Sequence, residues 1–216
     1  MNRKPSYPDP SADVAAARAA IRDEYTKLSP GRIAAVVTHL EMHARPPLPP
    51  EPPGSPYELR RVAQPGLDWY RGLYRAVGEN WLWFSRLTLD DAALARLIRD
   101  PAVEVHALRH EGRDKGILEL DAHRFPDVEI SFLGLVGDLI GKGAGRFLMN
   151  RTLEICWARS PRRVTVHTCT LDHPNALGFY LRSGFTPYAR SVEVADDPRL
   201  KGLLPRSAAP HVPVME

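Results

Sequence analysis

Cysteine is nearly absent: Cys156 and Cys169 are the only two in 216 residues, and they form no CxxC pair. That scarcity excludes a disulfide framework and argues against a zinc site, so the expected compartment is a reducing cytoplasm. Long apolar runs are missing too. No stretch reaches the roughly 18 residues that a membrane span requires, and the opening MNRKPSYPDP has no apolar segment behind its basic residues, unlike a secretory signal. The formal charge is only +3 and no dense basic stripe occurs, so nucleic acid is not an expected partner. Internal repeats are lacking as well.

What remains fits one domain with appendages: 216 residues, 44% of them hydrophobic, enough for a core. The clearest boundary is RPPLPPEPPGSP (45–56), with seven prolines. Proline fixes φ and removes a donor, so this segment reads as a stiff connector. Before it lies an arm, 1–45: a helix over 12–28, then, after the Pro30-Gly31 turn, a strand over 32–42. A lone strand is unstable, so 32–42 is expected to pair with the main sheet or with a second subunit in a homodimer. After the linker (46–56) comes the main domain, 57–195, and then an irregular tail, 196–216, that wraps the surface. Within the domain the pattern predicts strands at 58–62, 103–109, 116–123, 128–136, 163–170 and 186–194. Helices are predicted at 67–77, 90–99, 143–158 and 174–183. The fold class is therefore α/β (α+β), with a twisted, mixed, mostly antiparallel sheet flanked by helices.

The chemistry begins at Gly141-Lys142-Gly143-Ala144-Gly145-Arg146, between a strand and a helix. Glycines let an anion approach the backbone, the first helical amides are unpaired, and Lys142 and Arg146 add cations. Two other phosphate motifs fail here. A GxGxxG fingerprint would need glycine where Arg146 stands, and a P-loop would need glycine at Val136 and Ser or Thr at Gly143.

The strand, the GxGxG turn and the helix resemble motif A of the Gcn5-related N-acetyltransferase (GNAT) superfamily. HPNALGFYLRSGF (173–185) resembles its motif B, N-x-x-A-x-x-x-Y-x-x-x-G-F, with Ala176, Tyr180, Gly184 and Phe185 on the spacing. The resemblance covers roughly 57–192. It implies a sheet splayed between the domain's fourth and fifth strands and acetyl-CoA as acyl donor, with no metal. The acceptor would be a small amine, an amino acid or a protein amino group. It also implies a coenzyme site along Leu133, Gly134, Leu135 and Val136, the turn Gly141 to Arg146, and the His173 and Asn175 region. Two positions depart from the motifs: Ile140 stands where the family has Gln or Arg, and His173 where motif B opens with Asn. The alternative to an enzyme is an acyl-CoA sensor on the same fold that binds without turnover.

Amide formation from a thioester needs a neutral amine, a donor to the oxyanion and a proton for the departing thiolate. An alkylammonium is only about a thousandth deprotonated at pH 7, so a base is expected. By the resemblance Glu129 is the leading candidate, since its place six residues before Leu135 is similar to that of the catalytic glutamate in the family's histone acetyltransferases; its other reading is an ion pair with an arginine across the sheet. By the resemblance Tyr180 is the acid, or else packs beneath the acyl group, and the Leu135 N–H is the oxyanion donor. Gly134 either lets the thioester lie close to the strand or marks a bulge. His167 and His173 could serve as base or line the acceptor pocket. By the resemblance Trp81, Trp83 and Phe84 fall in the segment that lines the acceptor site, where they either hold an apolar or cationic acceptor or pack in the core. His106 and Glu119 could face the same cleft. Cys169 could carry an acyl group, although direct transfer is the family's habit.

Overall fold

The computed structural model describes residues 25–51 and 54–216. Eleven main elements follow in order: β1 (Arg32–Met42), β2 (Tyr57–Arg61), α1 (Leu67–Gly78), α2 (Asp91–Ile98), β3 (Val103–His110), β4 (Arg113–Asp121), β5 (Asp127–Leu135), α3 (Ala144–Trp157), β6 (Arg163–Cys169), α4 (Ala176–Arg182) and β7 (Thr186–Asp196). Local signals account for many of the boundaries. Asp90 caps α2 by accepting the Ala93 amide at 2.7 Å, and Glu111-Gly112, both at positive φ, turn β3 into β4.

The seven strands form one sheet in the order β2-β3-β4-β5-β6-β1-β7. All neighbours are antiparallel except β5 and β6, which run parallel. Alternating side chains supply two cores. On one face α3 and α4 cover Leu118, Leu120, Val128, Ile130, Val164 and Val166. On the other, α1 and α2 cover Val105, Ala107 and Ile117.

Strand β1 joins its own chain's sheet, resolving one open expectation. It lies between β6 and β7, antiparallel to both, with Val37 opposite Cys169 and Ser191. The β6-α4-β7 crossover leaves a gap one strand wide, and β1 fills it. Leu40, 0% exposed, and Met42 carry it into the first core. The proposed helix 12–28 lies mostly outside the described residues; Tyr25 to Leu28 are not helical.

The proline-rich connector also proves to be more than a spacer. Leu48 packs on the first core, and the Asn150 side-chain amide donates to the Pro49 carbonyl at 3.0 Å and to Glu51 at 2.8 Å. The tail is anchored by a buried pair, Arg199 with Asp197 at 2.7 Å, whose guanidinium also donates to the Ala208 and Val212 carbonyls.

Because Leu40 is sealed beneath α3 and α4, Leu40→Ala should lower unfolding free energy by about 2–5 kcal/mol, read by urea denaturation. A loss below about 1 kcal/mol would show that β1 is not held in the sheet.

Candidate active site

Strands β5 and β6 pair only from Asp127 opposite Arg163 to Ile130 opposite Val166. There β5 carries a bulge: Ile130 faces Leu120 and Phe132 faces Glu119, leaving Ser131 without a partner on β4. A bulge bends its strand, and beyond it β5 continues to Leu135 with no ladder to β6. The Val136 amide donates back to the Lys115 carbonyl at 3.0 Å. Backbone groups alternate sides along a strand, so those of Leu133 and Leu135 turn toward the gap, whereas those of Gly134 and Val136 turn toward β4. Two of the four expected edge residues thus present backbone groups to the opening.

Gly134 needs a correction. The bulge is at Ser131, and the space at Gly134 is already filled: a Cβ there would lie 2.5 Å from Val77 Cγ1 and 2.9 Å from the Trp83 ring. Its missing side chain lets α1 and Trp83 pack down on β5 rather than making room for a thioester.

At the end of the open edge comes the glycine turn. Gly141 and Gly143 hold φ of 79° and 87°, in the left-handed region, and nothing lies within 4 Å of where their side chains would begin. Gly143 is the N-cap of α3 and supplies no side-chain cap, the first turn holds no acid, and the first helical bond runs from Phe147 N–H to Gly143 C=O. The helix therefore starts with amides that have no helical acceptor and a positive dipole end, beside Lys142 and Arg146. A Cβ on Gly145 would sit 3.9 Å from Leu135 and 3.7 Å from Phe179, so strand edge, turn and α4 meet here. The donor set fits a phosphate group.

The other candidates lie where β5 and β6 begin to part. Glu129 and His167 project from the same face and approach to 3.6 Å. Burial works against a charged His167, but the interaction with Glu129, helped by Asp172 and Glu193, outweighs it and raises the pKa above the ordinary 6.5. Opposite His167 on β1 stands His39, which the sequence did not single out; its Nε2 lies 2.9 Å from Ser191 Oγ. Burial and the neighbouring His167 lower its pKa. Tyr180, 7% exposed, packs against Phe179 and Phe185, and burial, then the Asp172 charge, raises its pKa. It therefore keeps its proton at any ordinary pH.

Asp172, also unforeseen, ties the mouth together. It accepts from Trp83 Nε1 at 3.2 Å, Thr168 Oγ1 at 2.8 Å and the Cys169 amide at 2.8 Å. Trp83, its ring tilted against those of Phe132 and Tyr74, is thereby tethered across the gap to the end of β6. Trp81 instead meets His173 and His211, while Phe84 packs against the second core. His173 Nδ1 accepts the Asn175 amide at 3.1 Å, and Asn175 is exposed. Cys169 is pushed up to about 12 by burial and Asp172, so its thiol stays protonated.

His106 and Glu119 are corrections as well: both are buried. His106 pairs with Glu104 at 3.1 Å. Glu119 accepts from Tyr70 and, at 2.5 Å, from Arg86, whose guanidinium lies over Phe132. That cluster supports the cleft wall from behind.

With this geometry in place, comparison with known proteins gives a family. The model of the acetyltransferase (GNAT) family matches residues 67–185, more than half of the chain. The chain belongs to that family. Strand β1, the connector and β2 precede the matched region.

Similar solved structures include a GCN5-related N-acetyltransferase from Sphaerobacter thermophilus, with TM-score 0.54 and 19% identity over 78% of this chain and 52% of that one. Another, from Kribbella flavida, has TM-score 0.52 and 13% identity over 88% of this chain and 66% of that one. A functionally unknown conserved protein from Staphylococcus epidermidis has TM-score 0.52 and 15% identity over 77% of this chain and 64% of that one. The present chain thus spans about half to two thirds of these relatives, and the likeness is one of fold. No curated protein matches.

Two outcomes follow from the geometry. Gly134→Ala should cost about 1–3 kcal/mol of stability through overpacking against Val77 and Trp83, measured by thermal or urea melting. In a proton NMR titration the His167 ring should titrate above 6.5, and Glu129→Gln should move that midpoint down. An unmoved midpoint would mean that Glu129 does not stabilise the imidazolium.

Proposed function

We propose that this chain is an acetyl-CoA-dependent N-acetyltransferase that transfers the acetyl group directly to a primary amine. The observation that carries this reading is the open β5 edge at Leu133 and Leu135, running straight into the uncapped, glycine-lined start of α3. A strand edge offers hydrogen bonds to the amides of a pantetheine arm, and a helix start offers them to a pyrophosphate. Bound acetyl-CoA supplies an activated acyl thioester and a thiolate leaving group.

The chain's residues then divide the work. The Glu129–His167 pair takes a proton from the acceptor ammonium, and the freed nitrogen lone pair forms the C–N bond. The Leu135 N–H donates to the carbonyl oxygen as negative charge gathers there. Tyr180, kept neutral by burial, gives its proton to sulfur as the C–S bond breaks, and the second proton that nitrogen sheds as the amide forms returns to the tyrosine oxygen through water. Lys142, Arg146 and the amides of Gly143, Ala144 and Gly145 hold the phosphates. His173 and Asn175 lie at the start of α4, beside the pantetheine end. Trp81, Phe84 and Trp83 border the acceptor side of the cleft. The protonated, packed thiol of Cys169 favours direct transfer over an acyl-cysteine.

Thiol release from acetyl-CoA across a panel of amines tests this. Glu129→Gln should lower kcat by roughly 10²-fold and Tyr180→Phe by about tenfold, each with coenzyme affinity within about twofold of wild type. Because the base must be unprotonated, wild-type kcat/KM should rise with pH through a midpoint above 6.5. Full rates in both variants would remove the catalytic assignment, and binding without release from any amine would make the chain a sensor.

A further inference from the structure

Tyr57 is the first residue of β2, at the end of the proline-rich connector and outside the family match. Its hydroxyl donates to the Lys142 carbonyl at 2.9 Å. That carbonyl belongs to the peptide joining Lys142 to Gly143, in the middle of the phosphate turn. In a trans peptide the C=O and the following N–H point opposite ways. Holding the Lys142 oxygen toward Tyr57 therefore turns the Gly143 N–H away from it, and among the described residues no backbone acceptor takes that amide. The peptide would otherwise be easy to invert, because rotation about it changes ψ of Lys142 and φ of Gly143, and glycine accepts φ of either sign. Inverted, it would present a carbonyl oxygen where an anion needs a donor.

We propose that Tyr57 is a positioning residue of the coenzyme site, whose hydroxyl sets the Lys142–Gly143 peptide so that the Gly143 amide faces the pyrophosphate. The inference rests on reading that turn as the coenzyme's phosphate site. Tyr57 is itself well held. Its ring lies between His110, at 5.2 Å between ring centres, and Phe147, at 5.8 Å. Its backbone pairs with His110 in the β2–β3 ladder. Upstream, the connector is fastened to α3 through Asn150, 3% exposed, and through Glu51 with Arg151 at 2.9 Å. At its other end the connector touches the turn before β7, where Pro46 Cβ lies 3.4 Å from where a Gly184 side chain would start. The connector thus packs against α3 and against the exit of α4, and Tyr57 is the contact that reaches the phosphate turn.

The test is Tyr57→Phe, which keeps the ring and removes only the hydroxyl. Calorimetric titration of the full chain should show coenzyme A binding weakened about three- to tenfold, the equivalent of one ordinary hydrogen bond. Binding of pantetheine, which lacks the pyrophosphate, should stay within about twofold of wild type by NMR titration. The Gly143 amide resonance should shift on adding coenzyme A to wild type and shift much less in the variant. A variant that binds coenzyme A as wild type does, or that loses coenzyme A and pantetheine equally, overturns the role of Tyr57. Wild type that binds pantetheine but gains nothing from the pyrophosphate of coenzyme A overturns the reading of the turn itself, and Tyr57's role with it.

Discussion

The parting of β5 from β6 after Ile130 and Val166 is the constraint on which the other features depend. A continuous parallel ladder would pair every backbone group on both strands and leave nothing for a ligand. The unpartnered Ser131 ends that ladder by bending β5 away, and the strand's next donors and acceptors face an opening instead of a neighbour. An exposed edge with an uncapped helix start beyond it is poor design for a protein alone. It makes sense when a long ligand bearing amides and phosphates completes the hydrogen bonds.

Keeping such an opening requires support from both sides, and the structure provides it with interactions that span the gap. On one face Trp83, packed against Phe132 and over Gly134, reaches Asp172 at the exit of β6. Behind that wall the buried Glu119 carboxylate binds Arg86 and Tyr70, so the aromatic layer rests on a satisfied polar cluster. On the other face α3 and α4 close the core, with the connector fastened across α3. Beyond β6, β1 fills the space that the β6-α4-β7 crossover leaves, and its His39 continues the polar row that begins at Glu129 and His167. The amino-terminal strand therefore belongs to the same packed body as the Glu129–His167 pair.

Much of this was legible from residue order, for physical reasons. Alternation in 103–136 marked three strands because each has one face on each core, and Asp90 and Gly112 are local signals that act where they stand. The glycine turn and motif B were readable because their function demands particular residue types at fixed spacing. What could not be read depends on contacts between distant segments. Nothing local distinguishes Ser131 as a bulge, or shows that Gly134 is empty because Val77 and Trp83 fill it. The place of β1 between β6 and β7 is a long-range register choice. Asp172 looks like an ordinary turn residue after a strand, and Tyr57 like an ordinary edge tyrosine. The backbone orientation that leaves Leu135 facing the gap and Val136 facing β4 comes from the register with β4.

Amide hydrogen exchange with and without coenzyme A tests the account at its centre. The Leu133 and Leu135 amides, together with those of Gly143 to Arg146, should gain protection when coenzyme A binds, while the already paired Val136 amide changes little. Protection confined to other surfaces, such as the outer edge of β7, with Leu135 and Gly143 unaffected, would contradict it.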